Sequence, residues 1–427
     1  MTHVFRGATG AVQCAASTLV RQPSLPFGVR TLNGIGQALR RWGASVGDLS
    51  EVSVLRTAQR RTGLFDFGDS DYLTPLRELL ASYDSDTSLT FLGRLIARGM
   101  LVHALANRLR IREAAGGSAG VSPEMIVRPL FVVGLPRTGT TLLYNLLAQD
   151  PAARPLMFWE SMTPTAPRLG RGRDQRIREA ERTVARLNRM VPELRMIHEM
   201  DPRGPDECTG LLFNTLVCPY FRGRLARYRQ WLFTAAQQRI TEAYREYREQ
   251  LQILQRQRRN EHWVLKSPSH LFGLGSLLEV FPDAAVVFTH RDPAQALASL
   301  CSLTAALDTM SYRGVDLADV GRRNSAIVEK LILRGQAARH APHGSRIFDV
   351  KYEDLVRDPL KIVRLVYERF GYRYTPDLDQ RCRDHLRDNP QHKHGRHRYT
   401  LEEFGLDRSH LPLLVEEYRK ELELPQE

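Results

Sequence analysis

Lysine is nearly missing from this chain. Of the 61 basic side chains in its 427 residues only six are Lys, and none precedes Lys266. A Lys at that point is a poor match for a casual surface charge, a role that Arg fills everywhere upstream. Cysteine is also scarce: Cys14, Cys208, Cys218, Cys301 and Cys382 are odd in number and form no C-x-x-C pair. That excludes a disulfide framework and fits a reducing, cytoplasmic setting. No apolar run approaches a membrane span, so no transmembrane segment is expected. Residues 1–47 lack acidic side chains and carry Arg6, Arg21, Arg30, Arg40 and Arg41. They read as a basic arm turning helical near Leu32–Trp42, in preference to a processed targeting segment over residues 1–30.

The formal charge of +13 raises the question of a nucleic-acid partner. Most Arg residues are interleaved with Glu, Gln and Ala on helical stretches such as 173–190 and 236–259, as on a solvated helix face. No zinc-finger or RNA-recognition signature accompanies them, so no nucleic acid is expected and the charge is assigned to anionic small molecules.

What is present organises around residues 130–150. Leu130 to Val133 is a short apolar, β-branched run suited to a buried parallel strand, and Gly134 and Gly139 bracket a tight turn before Thr140 and Thr141 open a helix. Such a turn brings backbone N–H groups and a positive helix end onto one point, where an anion is favoured. The spacing of the two glycines matches the nucleotide triphosphatase loop G-x-x-x-x-G-K, but Thr140 stands where its Lys belongs. Arg137 is the loop's one cation. The loop therefore suits a 5′-phosphate better than a metal-bound triphosphate.

Around it, residues 55–112 follow helical periodicity and the glycine-rich stretch from Gly116 to Gly120 forms a join. The expected division is a helical N-terminal region, 1–120, and a main domain, 121–427. Strands are expected at Trp263–Leu265, Ala285–Thr289 and Ile347–Val350. Each ends in a polar cluster, as a parallel sheet with ligands at its strand ends requires. Residues 155–260 read as a helical cap insertion: Trp159-Glu160 in a rigid aromatic turn, then helices over 173–190, 205–216 and about Arg229 to Arg259. The fold class is α/β, a P-loop-like parallel sheet flanked by helices.

Pro136-Arg137-Thr138-Gly139-Thr140-Thr141 resembles the 5′-phosphosulfate loop of sulfotransferases that use 3′-phosphoadenosine 5′-phosphosulfate (PAPS). Arg291 and Ser299, eight residues apart across a strand end and a helix, resemble that family's grip on the 3′-phosphate. The match is closest to a bacterial-type branch, on the segments Trp159-Glu160, Leu265-Lys266-Ser267-Pro268-Ser269-His270 and His290-Arg291-Asp292-Pro293. The resemblance implies PAPS as donor, no required metal, and donor contacts from Arg137, Thr138, Gly139, Thr140, Thr141, Arg291, Ser299 and Tyr352. It also implies a C-terminal clasp about 385–405, with Lys393, His394, Gly395 and Arg396 over the 3′-phosphate. The histidines around that clasp lack metal-ligand spacing.

Lys266 is expected to stabilise charge on the breaking S–O bond. The family's better-known Lys and His are two apart, whereas Lys266 and His270 are four apart with Pro268 between. Three bases therefore stay open, in the order His270, Glu160 and His198. The reading is sulfuryl transfer to a hydroxyl, with a hydrophobic small-molecule acceptor. The alternatives are a P-loop small-molecule kinase and a non-catalytic nucleotide-binding protein.

Overall fold

The computed structural model describes residues 47–116, 124–166, 174–197, 200–390 and 399–426. The basic arm, His198 and the Lys393, His394, Gly395 and Arg396 segment lie outside the described residues.

Among the described residues three helices come first: α1 (Glu51–Thr62), α2 (Leu73–Ser85) and α3 (Phe91–Ala114). The hydroxyl of Thr90 accepts from the Gly93 N–H and so sets the start of α3. The five strands are β1 (Leu130–Gly134), β2 (Ala153–Pro155), β3 (His262–Lys266), β4 (Ala285–His290) and β5 (Ile347–Lys351). They form one parallel sheet in the order β2-β3-β1-β4-β5.

Side chains alternate across this sheet with the period of two that a strand imposes. Phe131, Val133, Leu265 and Phe288 enter the large core shared with α3, and Leu130, Val132, Val264 and Val287 enter a smaller core on the other face. Strands covered on both faces read as continuous apolar runs, which is why β1 and β4 were visible in the sequence. β2 was not foreseen, because Ala-Arg-Pro carries no periodic signal and Pro155 fits only an edge.

Between β1 and β3 the chain forms α4 (Thr140–Leu147), α5 (Phe158–Met162), α6 (Gln175–Met190), α7 (Leu194–Ile197), α8 (Thr209–Asn214), α9 (Ala226–Thr234) and α10 (Gln237–Gln257). Three expectations change here. The Trp159-Glu160 turn is the short helix α5, whose first turn closes when the Glu160 carboxylate accepts from the Met157 N–H at 3.1 Å. The expected helix from Arg229 to Arg259 breaks where Ala235 turns extended, so that α9 packs on α2 while α10 packs on a later helix, α11 (Leu274–Val280).

The helix expected from residue 205 begins only at Thr209. Residues 205–208 instead lie extended across the strand ends, with the Asp206 N–H on the Leu156 carbonyl (2.8 Å) and the Cys208 N–H on the Lys266 carbonyl (2.9 Å). Beyond β4 follow α12 (Pro293–Asp308), α13 (Leu317–His340), α14 (Tyr352–Arg357), α15 (Pro359–Phe370), α16 (Pro376–Asp388) and α17 (Leu413–Glu421). No helix among the described residues is long and apolar enough to cross a membrane.

Because the chain leaves β1 for β2 and β3 on one side and β4 and β5 on the other, connections diverge at the sheet's centre. A crevice opens there at the strand C-terminal ends. Gly134, Lys266, His290 and Lys351 all end on that edge.

Candidate active site

The loop after β1 is built to leave its backbone donors uncovered. Gly139 sits at φ +86°, and a Cβ there would lie 2.7 Å from Leu355 Cδ2 and 3.1 Å from Tyr352 Cδ2. A Cβ on Gly134 would meet Thr138 Oγ1 at 2.5 Å. Thr138 spends its hydroxyl inside the loop, donating to the Leu135 carbonyl at 2.7 Å and pairing with Thr289 Oγ1. Arg137 holds a left-handed φ of +69° without being glycine, a strained geometry of the kind found at ligand loops. Among the described residues no side chain caps α4, so its first N–H groups face the crevice with the positive end of the helix dipole.

A second wall carries Arg291, Ser299 and Tyr352. The Arg291 guanidinium lies 4.1 Å from the centre of the Tyr352 ring and donates to the Arg137 carbonyl at 3.2 Å, joining this wall to the loop. Ser299 is buried yet still reaches the same cavity from the second turn of α12. The structure therefore brings Arg137, Gly139, Thr140, Thr141, Arg291, Ser299 and Tyr352 onto one cavity, with Thr138 behind them as a loop strut. A loop that a Cβ would fill, a helix start at the crevice and a guanidinium fork joined to the loop fit a phosphorylated nucleotide.

Lys266 sits at the junction. Its Nζ is 2.8 Å from Glu207 Oε1 and 3.4 Å from Thr141 Oγ1. The extended strip of residues 205–208 is what carries Glu207 and Asp206 over the strand ends, and both line the cavity. Neither Asp206 nor Glu207 stands out in the sequence. The signal it lacked was the Lys266 contact, which spans 59 residues of chain.

Burial, reinforced by the charge of Glu207, pushes the Asp206 carboxyl up to about 7 from an ordinary 3.8. The folded protein thus holds a proton there that the unfolded chain has released. The associated stability is full below the ordinary value and is lost as pH rises through about 7. Asp206→Asn cannot ionise, so its stability advantage over the wild type should grow between about pH 5 and about pH 8, to on the order of a few kcal/mol. Denaturant midpoints at the two pH values check this, and an advantage that does not change with pH would refute it.

Two expected bases are not in the cleft. His270 is fully buried in the large core, its ring packed against Phe131, Tyr244 and Tyr247. Ser267 and Pro268 start a 3₁₀ turn directly after Lys266, and that turn swings His270 behind the sheet. Its Nδ1 pairs with the Tyr244 hydroxyl at 3.0 Å, and burial lowers its pKa to about 3. Glu160 makes a two-point ion pair with Arg154 at 3.0 and 3.3 Å, both side chains being buried, and Arg154 in turn lies over the Trp263 ring. The carboxylate is a corner post between β2 and α5.

From the junction the cavity continues as one space of about 830 Å³ into an apolar chamber. Ile96 and Met100 of α3, Met162 of α5, Leu187 of α6 and Leu303 and Leu307 of α12 are among its walls. An anion loop opening onto an apolar chamber past Glu207, whose carboxylate holds the buried Lys266, is laid out for moving a charged group onto a hydrophobic molecule.

The sequence profile of the sulfotransferase family matches residues 129–376. The chain belongs to this family. The sulfotransferase is 26% identical over 314 residues to omega-hydroxy-beta-dihydromenaquinone-9 sulfotransferase Stf3 of Mycobacterium tuberculosis, a match covering 70% of this chain and 76% of that protein. Among solved structures it resembles sulfotransferase STF9 from Mycobacterium avium, with a TM-score of 0.77, 28% identity and coverage of 88% of this chain and 98% of that one. It also resembles sulfotransferase STF1 from Mycobacterium tuberculosis, with a TM-score of 0.69, 30% identity and coverage of 87% and 97%. The sulfotransferase is therefore an enzyme of sulfuryl transfer, and the kinase alternative is not favoured.

Proposed function

We propose that this sulfotransferase uses PAPS as donor and passes the sulfuryl group to the hydroxyl of a hydrophobic acceptor held in the apolar chamber. The observation that carries this reading is the single cavity, in which the phosphate loop and the chamber meet at Thr141 and Glu207, with the buried Lys266 ammonium held behind them by Glu207. The donor supplies an activated sulfuryl group. The N–H groups at the start of α4, with Arg137, Thr140 and Thr141, hold its phosphosulfate end, while Arg291 and Ser299 hold its 3′-phosphate beside Tyr352.

Glu207 is the base in this reading, replacing His270, Glu160 and His198. It lines the cavity, touches Lys266 and takes the proton of the acceptor hydroxyl. Lys266 then places its charge against the oxygen on which negative charge develops. Stf3 is named for omega-hydroxy-beta-dihydromenaquinone-9. A hydroxylated apolar molecule of that kind suits the chamber here. The helices of the N-terminal region act as part of the acceptor site through α3, and a reducing cytoplasm suits the four buried, unbridged cysteines.

The test is calorimetric binding of adenosine 3′,5′-bisphosphate in EDTA to wild type and Arg291→Ala, with ATP plus Mg²⁺ as comparison. Removing a charged two-donor contact should weaken binding by about 10- to 100-fold. Absence of binding to the folded wild type in EDTA, or a preference for ATP with Mg²⁺, would overturn the donor assignment.

A further inference from the structure

We infer that the chamber ends in a carboxylate-binding subsite built on Arg222, so that the acceptor is an amphipathic hydroxy acid with its carboxylate opposite the reacting hydroxyl. The inference rests on reading this cavity as the acceptor chamber.

Residues 219–223, a non-helical strip, run along the cavity wall. The Tyr312 hydroxyl accepts from the Arg224 N–H at 2.9 Å and the Tyr312 N–H donates to the Asp308 carbonyl at 3.0 Å, which ties the Arg222 end of the strip to the end of α12. Asp308 is the last residue of α12, nine positions beyond Ser299, or about 13 Å along the helix. Leu300, Leu303 and Leu307 face the cavity between them. Arg222 thus belongs to the end away from the donor grip, separated from it by an apolar wall.

That end holds more positive charge than it satisfies. Asp308 is paired with Arg323 at 2.8 Å, and Asp319 is shared by Arg323 at 2.8 Å, Arg224 at 3.5 Å and Arg322 at 3.6 Å. The Arg229 guanidinium donates to the Gly223 carbonyl at 2.7 Å and to that of Arg224. Arg222, Arg224, Arg229, Arg322 and Arg323 against Asp308 and Asp319 set five positive charges beside two negative ones. Among the described residues the Arg222 guanidinium has no hydrogen-bond or ion-pair partner, and burial pulls its pKa below the ordinary value. A guanidinium held in an apolar wall without a partner is costly, and its planar fork matches a carboxylate at two points. A carboxylate on the acceptor supplies the missing partner and fixes which end of the molecule faces Lys266.

The experiment compares decanoate with decanol in calorimetric binding to the full chain, and ω-hydroxydecanoate with decanol as acceptors for PAPS. Wild type should bind decanoate at least about tenfold more tightly than decanol and prefer the hydroxy acid by a similar factor in kcat/KM. Arg222→Leu should erase both preferences while keeping decanol affinity, and Arg222→Lys should restore part of them. Equal binding of decanoate and decanol by wild type would overturn the subsite without any variant. So would a loss in Arg222→Leu that falls equally on acid and alcohol. Decanoate binding needs no sulfuryl donor, so failure of the PAPS reading appears separately, as absent bisphosphate binding with the acid preference intact.

Discussion

Lys266→Met is expected to lower kcat by about two to three orders of magnitude while changing adenosine 3′,5′-bisphosphate affinity by less than about threefold. The asymmetry follows from geometry. The donor grip rests on backbone N–H groups of the loop and on Arg291 and Ser299, whereas the Lys266 ammonium contacts Thr141 only at 3.4 Å and is held chiefly by Glu207 at 2.8 Å. Its charge matters most when negative charge grows at the reacting centre, so its loss falls on the transition state. Glu207→Gln, which preserves shape but cannot take a proton, should lower kcat by about 10²- to 10⁴-fold. His270→Phe is the contrasting case. Its ring is sealed in the core, so kcat of the folded protein should stay within a few-fold. Single-turnover rates beside bisphosphate titrations separate the outcomes: a Glu207→Gln enzyme with near-normal turnover, or a His270→Phe enzyme that folds and binds yet is dead, would move the base away from Glu207.

The contrast between Glu207 and His270 shows which part of the site a sequence carries. The phosphate loop is local: Gly134, Gly139 and the helix-opening threonines lie within eight residues, so spacing alone predicted a cradle the structure displays. Strand ends were equally legible, because β1, β3 and β4 each carry an apolar run, Leu130–Val133, Trp263–Leu265 and Ala285–Phe288, that stops at a turn or polar cluster. The base was not, since direction after a strand depends on one turn. The 3₁₀ turn begun at Pro268 sends His270 into the core, and the strip of residues 205–208, from the middle of the insertion, brings Glu207 over β3. Arg222 was invisible for a related reason. In an Arg-rich chain its type signals nothing, and only the pairing of Arg229 and Arg323 with other groups sets it apart.

Glu160 offers the other large effect, on stability instead of rate. Glu160→Ala leaves Arg154 buried and without its carboxylate, with burial already pulling that guanidinium below its ordinary pKa, and should cost about 3–5 kcal/mol of folding free energy. The Met157 N–H loses its acceptor as well, so the α5 corner frays. Phe158, Ser161 and Met162 line the chamber from that corner, and KM for the acceptor should rise while kcat of the folded fraction changes less than about threefold. Removing both charges is the sharper measurement. The double variant Arg154→Met with Glu160→Met leaves no unpaired buried ion and should recover much of the stability that Glu160→Ala loses. Denaturant midpoints of wild type, Glu160→Ala and the double variant read that recovery directly. A Glu160→Ala enzyme of wild-type stability whose kcat has collapsed would instead return Glu160 to the chemistry, and with it the Trp159-Glu160 turn to the list of bases.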